Sequence, residues 1–333
     1  MSFRLKQLPK VPRGERYDLV IVGAGPAGLS AGIYAARFML KTLIVSEDVG
    51  GQLNLTSAVD DYPGMGSVSA SELVSRFRKH AEESGVQVVA GVRVEDIARV
   101  EEGLFKVVGS RRLEVYAPAV ILAVGSRRRK LGVPGEDRLA GRGVSYCSIC
   151  DAPLFRGRKA VVVVGGGDAA LEGALMLSDY VEKVYLVHRR DSFRAKPVYV
   201  ARVKSRANIE FVLNSVVEEI LGDERVTGVV VRNRVTGETK TLSVDGVFVE
   251  IGLEPPTEWF RKLGLEVDEK GYVKVDEWMR TSVPGIFAAG DCTSMWHGFR
   301  QIVTASAMGA VAAYSAYNYL IEHGLVSEAG RKA

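Results

Sequence analysis

The chain has 333 residues, 47% hydrophobic and 25% charged, which is room for about two globular domains and excludes a disordered tail, a collagen-like repeat or a disulfide-stapled miniprotein. Lys and Arg total 44 against 40 Asp and Glu, a net charge of +4 that gives no reason to expect a nucleic-acid partner. No charge-free apolar run reaches the roughly 18 residues of a membrane span, and the longest, Met308 to Tyr319, is rich in Ala and Tyr.

Met1 to Asp18 alternates basic and apolar residues without the apolar region of a secretory signal, and is expected to be a solvated arm. Tyr17 to Val22 then reads as a buried parallel strand. Gly23-Ala24-Gly25-Pro26-Ala27-Gly28 follows at once, then an Ala-rich helical pattern from Leu29 to Phe38 and a second strand from Lys41 to Val45. This β-turn-α-β context is what makes a glycine pattern specific. The same device returns about one domain's length later. Lys159 to Val164 is a strand, Gly165-Gly166-Gly167-Asp168-Ala169-Ala170 a turn, Leu171 to Ser178 a helix and Lys183 to Val187 a strand.

Ala119 to Gly125 and Gly285 to Asp291 are strands ending in glycine, and Gln301 to Leu320 is a long small-residue helix. The economical arrangement is an α/β protein of two Rossmann-like dinucleotide-binding domains in three layers, the second inserted into the first. Residues 1–125 and 253–333 form one domain and 126–252 the other. Gly91 to Val108 and Arg225 to Val249 alternate apolar residues between turn glycines and are expected to be small antiparallel sheets.

In the first turn, Gly23 and Gly25 let the backbone approach a pyrophosphate at the start of a helix. Glu47 lies just past the second strand, where a carboxylate accepts hydrogen bonds from a ribose. The adenosine half of FAD or NAD fits this set. A ligand-free packing turn, with Glu47 a surface residue, is the alternative. The second turn carries no acidic residue at the corresponding place, but His188-Arg189-Arg190 and then Arg194. Guanidinium groups suit a 2′-phosphate, so this half reads as an NADPH site; the alternative is a basic surface cluster. His188 is expected to shape that pocket, and His297, in the loop before Arg300, could lie near a cofactor.

Cys147-Ser148-Ile149-Cys150-Asp151 contains two of only three cysteines. Zinc needs two further ligands, and with Cys292 and four histidines no second paired motif exists, so no metal is expected. A redox-active dithiol fits better. Asp151 could shuttle a proton to or from a leaving thiolate, or cap the following helix start. Cys292 stands alone and reads as a small hydrophobe.

Taken together and in this order, these motifs resemble the low-molecular-weight thioredoxin reductases. The resemblance also rests on Gly50-Gly51-Gln52-Leu53, Tyr62-Pro63-Gly64, Phe193-Arg194-Ala195, Gly290-Asp291 and Arg300-Gln301, and runs over nearly the whole chain after residue 16. It implies a cytoplasmic homodimeric flavoprotein without membrane attachment, using FAD and NADPH. Pro26 and Ala27 would complete the first dinucleotide turn, and Gly51, Gln52 and Leu53 would line the flavin and ribityl region, with Asp61 near it. Gly290 and Asp291 would meet the ribityl chain, and Arg300, Gln301 and Ile302 would cover the isoalloxazine end. Gly165, Gly167, Asp168 and Ala169 would cradle the NADPH pyrophosphate, and Arg189, Arg190 and Arg194, beside His188, would hold its 2′-phosphate.

Cys147 and Cys150 would be the redox pair, with Cys150 nearer the flavin and Asp151 the acid. Electrons would pass from NADPH through FAD and the dithiol to the disulfide of thioredoxin or a glutaredoxin-like protein. Rotation about hinges near Gly125-Ser126 and Ile251-Gly252 would let the pair meet both. The chain departs from the family pattern at Asp61, where Asn is frequent, and at Ala152-Pro153, where Gly follows the Asp. The competing readings are an NADPH-dependent flavoprotein with a ferredoxin-type or oxygen acceptor and idle cysteines, and a non-enzymatic flavin redox sensor.

Overall fold

The computed structural model describes residues 10–55 and 58–326. The chain divides into two compact units, one of Met1–Leu53, Ser71–Arg127 and Pro255–Ala333, the other of Asn54–Ala70 and Arg128–Glu254. Each has the Rossmann-like pattern. The segment 54–70, expected with the first domain, clusters with the second unit.

In chain order, the first unit opens with β1 (Arg13–Arg16), β2 (Leu19–Ala24), α1 (Pro26–Arg37) and β3 (Thr42–Val49). Two short strands, β4 (Ala58–Val59) and β5 (Val68–Ser69), pair in the segment that groups with the second unit. Then come α2 (Ala70–Glu83), β6 (Gln87–Ala90), β7 (Val94–Glu101), β8 (Leu104–Gly109), β9 (Leu113–Ala117) and β10 (Ala119–Leu122).

The second unit follows with β11 (Arg127–Arg128), β12 (Val144–Ser145), α3 (Ser148–Asp151), β13 (Ala160–Gly165), α4 (Asp168–Ser178), β14 (Lys183–Val187), α5 (Pro197–Lys204) and β15 (Ile209–Val212). It continues through β16 (Ser215–Leu221), β17 (Gly228–Asn233), β18 (Thr239–Ser243), β19 (Gly246–Glu250) and β20 (Leu253–Glu254). The chain returns to the first unit with α6 (Thr257–Lys262), β21 (Ile286–Ala288) and α7 (Ile302–Glu322).

The first unit is built on the five-stranded sheet β21-β10-β2-β3-β6, parallel throughout. Alternation along its strands sorts side chains to two faces. Leu19, Ile21 and Ile121 point into a core shared with α1 and α7, whereas Val20, Val22, Val120 and Leu122 meet Phe105, Val107 and Val115 of the antiparallel strands β7-β8-β9. The sheet is therefore the middle of three layers, buried on both faces, which is why its strands read as continuous apolar runs. The small residues of α7 permit close approach to α1: a Cβ on Gly309 would lie 2.1 Å from the Ala27 carbonyl oxygen. The second unit repeats the plan with β12-β19-β13-β14-β15. Val161 and Val163 face Leu171 and Ala174 of α4, and Val162 and Val164 face Val217, Ile220, Val229 and Val231 of the antiparallel sheet β16-β17-β18.

Three expectations need correction. The end of the predicted solvated arm is ordered: β1 pairs parallel with β9, and Tyr17 and Asp18 are buried. Its sequence, Arg13-Gly14-Glu15-Arg16, is exposed throughout and is held by backbone hydrogen bonds, so it carries no apolar signal. Residues 1–9 of that arm lie outside the described residues. Of the predicted antiparallel segment Arg225 to Val249, the last strand, β19, belongs instead to the parallel sheet. The strand expected over Gly285 to Asp291 is only Ile286–Ala288 and gives way to a tight 3-10 turn at Gly290–Cys292.

Candidate functional site

In the first unit, β2 ends at the glycine turn and Gly25 precedes α1 in extended conformation, with Pro26 as the first helical residue and Ala27 after it. A Cβ on Gly28 would lie 1.9 Å from the Gly23 carbonyl oxygen, and one on Gly23 would lie 2.2 Å from that of Ala123, so strand, turn and helix are in backbone contact. The first-turn N–H groups of α1 have no partner within the helix and point out of the turn. Glu47, on β3, pairs with Arg93 at 2.8 Å and with Arg127 at 3.6 Å. Asp48 accepts from the Gly51 N–H, which begins the 3-10 turn carrying Gln52 and the buried Leu53.

Gln52 draws distant segments together. Its Nε2 donates to the Ser126 carbonyl at 3.1 Å and to Asp291 Oδ2 at 3.0 Å. Asp291 follows Gly290 in the 3-10 turn after β21. Arg300 donates to the Asp291 carbonyl and lies 4.1 Å over the Tyr272 ring. It also donates to His297 Nδ1 at 2.9 Å. A guanidinium has no acceptor, so the imidazole proton sits on Nε2 and is donated to Asp268 Oδ2 at 2.6 Å. Gln301 caps α7 through a reciprocal pair with Thr304, and Ile302 is the first helical residue. The predicted set Gly51, Gln52, Asp291, Arg300, Gln301 and Ile302 is thus contributed by two turns and a helix start of one unit. Asp61 is exposed in the loop between β4 and β5, in the segment that groups with the second unit.

Asp268 has no mark in the sequence, yet it supports the whole chain to Arg300. Burial opposes its charge, but the Tyr272 N–H, His297 and the Lys270 N–H together hold its carboxyl below its ordinary value. A depressed pKa adds stability that is fully present above the ordinary value of 3.8 and is lost as pH falls through the folded-state value. Asp268→Asn is therefore expected to destabilise the protein at neutral pH, with the difference from the parent closing as pH drops below 3.8. Denaturant unfolding measured across that range reads the effect, and a deficit independent of pH would contradict it.

In the second unit, Gly167 caps α4 in extended conformation, with Asp168 and Ala169 opening the helix. His188 is buried, its ring lying where a side chain on Gly166 would be, 2.1 Å from that glycine's would-be Cβ. Burial lowers its pKa, and the Arg190, Arg189 and Arg194 charges act in the same direction, against a hydrogen bond with the Ser192 carbonyl. The Arg194 N–H donates to the Gly166 carbonyl, which fastens the basic segment to the turn beside Gly165. Arg189, Arg190 and Arg194 are exposed, and none pairs with a carboxylate among the described residues. Asp168 instead accepts from the Lys196 N–H at 2.8 Å. Arg234, at the β17–β18 turn, donates to the Arg189 carbonyl and joins this cluster. It lies some forty residues on in the chain, and nothing local to it marks the connection.

Cys147 and Cys150 are bonded as a disulfide with their Cα atoms 5.3 Å apart. Cys147 caps α3, its sulfur accepting from the Cys150 N–H at 3.3 Å. Asp151 is buried and accepts from Ser145 Oγ at 2.7 Å; its side chain makes no cap to the following 3-10 turn. Cys292 is fully buried. Among the described residues no cluster of His, Cys, Asp and Glu has the arrangement of a metal site, and no helix is long and apolar enough to cross a membrane.

Two glycine-turn dinucleotide folds, one bearing a closed Cys-X-X-Cys disulfide, define a pyridine nucleotide-linked disulfide oxidoreductase. The sequence model of the pyridine nucleotide-disulphide oxidoreductases matches residues 17–309. Thioredoxin reductase of Listeria monocytogenes is 43% identical over 92% of this chain and 94% of its own length, and that of Bacillus subtilis 42% identical over 92% and 95%. The crystal structure of thioredoxin reductase from Streptococcus pyogenes matches with a TM-score of 0.82 at 38% identity, covering 93% of this chain and all of that one. The chain belongs to the thioredoxin reductases of the pyridine nucleotide-disulphide oxidoreductase family.

Proposed function

We propose that the protein is an NADPH-dependent thioredoxin reductase in which electrons reach the Cys147–Cys150 disulfide through FAD and pass on to the disulfide of thioredoxin. The observation that carries this reading is the closed disulfide on a unit whose dinucleotide turn is flanked by three exposed arginines, none paired with a carboxylate among the described residues. The residues fit both groups. Around Gln52, Ser126 Oγ is buried without a hydrogen-bond partner among the described residues, and a Cβ on Gly25 or Gly51 would meet nothing nearer than 4.0 or 3.7 Å, so bare backbone with open space beside it is available to a ligand. Bound FAD would supply two-electron chemistry between nicotinamide and disulfide.

The residues of this chain do the rest. The first turn of α1, with Glu47 on β3, would bind the pyrophosphate and adenosine ribose. Gln52 and Asp291 would hold the ribityl chain, and Arg300, steadied by His297, with the start of α7, would lie at the isoalloxazine end. In the second unit, Gly165, Gly167 and Ala169 take the NADPH pyrophosphate. Arg189, Arg190 and Arg194 take the 2′-phosphate by charge-assisted bonds. Asp151 supplies a proton when the disulfide opens.

The protein works as a homodimer in the cytoplasm, where NADPH keeps thiols reduced. Support for the dimer comes from a band of rings on the first unit: Phe38 lies 6.0 Å from Tyr314 and 4.9 Å from Tyr317, and Trp278 lies 6.2 Å from Tyr314. Trp278, Tyr314, Met39 and Ile321 are all exposed there. The deciding assay is NADPH oxidation by the FAD-loaded protein with and without oxidised thioredoxin. Turnover that requires thioredoxin is expected; NADPH oxidation that ignores it would sink the proposal.

A further inference from the structure

A second carboxylate stands behind the disulfide, and the mechanism above does not use it. Glu250 is the last residue of β19, and its side chain is only 9% exposed. Its Oε1 accepts two hydrogen bonds from one residue, the N–H and the Oγ–H of Ser148, both at 2.9 Å. Ser148 lies between the two cysteines in sequence and is itself buried. On the other side, Glu250 Oε2 faces Arg128 at 3.8 Å. Burial pushes the Glu250 carboxyl above its ordinary range, against the Arg128 charge and the two Ser148 bonds. A buried carboxylate is costly unless it is hydrogen-bonded and paired, and Glu250 has both kinds of contact.

The surrounding backbone makes room for this pair. A Cβ on Gly173 of α4 would lie 2.4 Å from Ser148 Oγ, and one on Gly165 would lie 2.4 Å from the Glu250 carbonyl oxygen. The redox segment is therefore held at two points by two carboxylates, each acting through a serine. Asp151 takes Ser145 Oγ, which in turn accepts from the Cys147 N–H, and Glu250 takes Ser148.

We propose that Glu250 is a positioning residue for the Cys147–Cys150 pair, fixing Ser148 and with it the backbone from which both sulfurs project. The inference rests on the reading of that pair as the redox centre. Opening the S–S bond takes two electrons from a dithiol or from reduced flavin and leaves a thiolate and a thiol after uptake of one proton. Glu250 takes no part in these bond changes. It holds the peptide framework that the two sulfurs share, so that opening the bond costs as little rearrangement as possible.

The test is the equilibrium of the Cys147–Cys150 disulfide against dithiothreitol, read by alkylation and mass spectrometry without NADPH. It is run on the FAD-loaded protein alongside thioredoxin turnover. Glu250→Ala is expected to shift that equilibrium by about tenfold or more, the scale of losing hydrogen bonds to a charged acceptor, and to lower thioredoxin turnover. Glu250→Gln keeps an acceptor oxygen for both Ser148 donors and is expected to stay within about threefold of the parent. Ser148→Ala, which keeps the N–H bond alone, is expected to fall between them and carries the test if Glu250→Ala does not fold. An unchanged equilibrium in Glu250→Ala and Ser148→Ala would overturn the proposal, as would Glu250→Gln failing as badly as Glu250→Ala. Because the equilibrium is read without turnover, a protein that shifts with Glu250 yet ignores thioredoxin would refute the functional reading and leave this one standing.

Discussion

Replacing Cys150 with Ser is expected to abolish thioredoxin reduction, by about a thousandfold or more, while NADPH still bleaches the bound flavin. The two half-reactions separate because they use different residues. On the proposed reading, hydride delivery uses the turn at Gly165 and the arginines, whereas disulfide exchange requires two sulfurs that can close on each other, here with Cα atoms 5.3 Å apart. Without its partner, a lone Cys147 can form a mixed disulfide with thioredoxin but cannot resolve it. An anaerobic titration makes the point stoichiometric. The parent protein is expected to take up about two more electrons per flavin than the Cys147→Ser/Cys150→Ser variant. Equal electron counts would make the cysteines bystanders and favour a flavoprotein with a ferredoxin-type or oxygen acceptor.

The second large effect is on the choice of nucleotide. Arg189 and Arg190 are exposed and unpaired with any carboxylate among the described residues, while the neighbouring turn already satisfies the backbone around Arg194. If they hold the 2′-phosphate as proposed, replacing both with Ala removes two charge-assisted contacts and leaves the proposed pyrophosphate cradle intact. The kcat/KM for NADPH is expected to fall by about 30- to 1,000-fold, with that for NADH nearly unchanged, because NADH carries no 2′-phosphate. Measuring both nucleotides on the same variant separates this from general damage. A parallel loss for both would mean that the arginines serve the fold or the pyrophosphate instead.

Much of this was legible in the sequence because the informative features are local. A β-branched run followed by a glycine turn and a small-residue helix fixes a strand, its parallel partner and a helix start within some thirty residues, and both copies fold that way. What could not be read is what the fold assembles from far apart. The bond between Gln52 and Asp291 spans 239 positions, and that between Ser148 and Glu250 spans 102. Glu250 closes an ordinary apolar strand and Asp268 sits in an ordinary polar loop, so neither announces its partner. β1 escaped for the opposite reason: an edge strand recognised through its backbone needs no apolar side chains. β19 sits at the end of an antiparallel-looking stretch because parallel and antiparallel strands share the same alternation, and only the crossover decides.

The third cysteine shapes how this protein can be studied. Cys292 lies between the carbonyls of Leu122 and Ala289, and burial pushes its thiol up to about 12. It therefore stays protonated and out of reach of alkylating reagents at neutral pH. A thiol count on the native, reduced protein reports the working pair alone, and the third sulfur appears only on unfolding. That delayed sulfur is a built-in gauge of whether the first unit is intact, readable in the same sample that reports the redox state of the second.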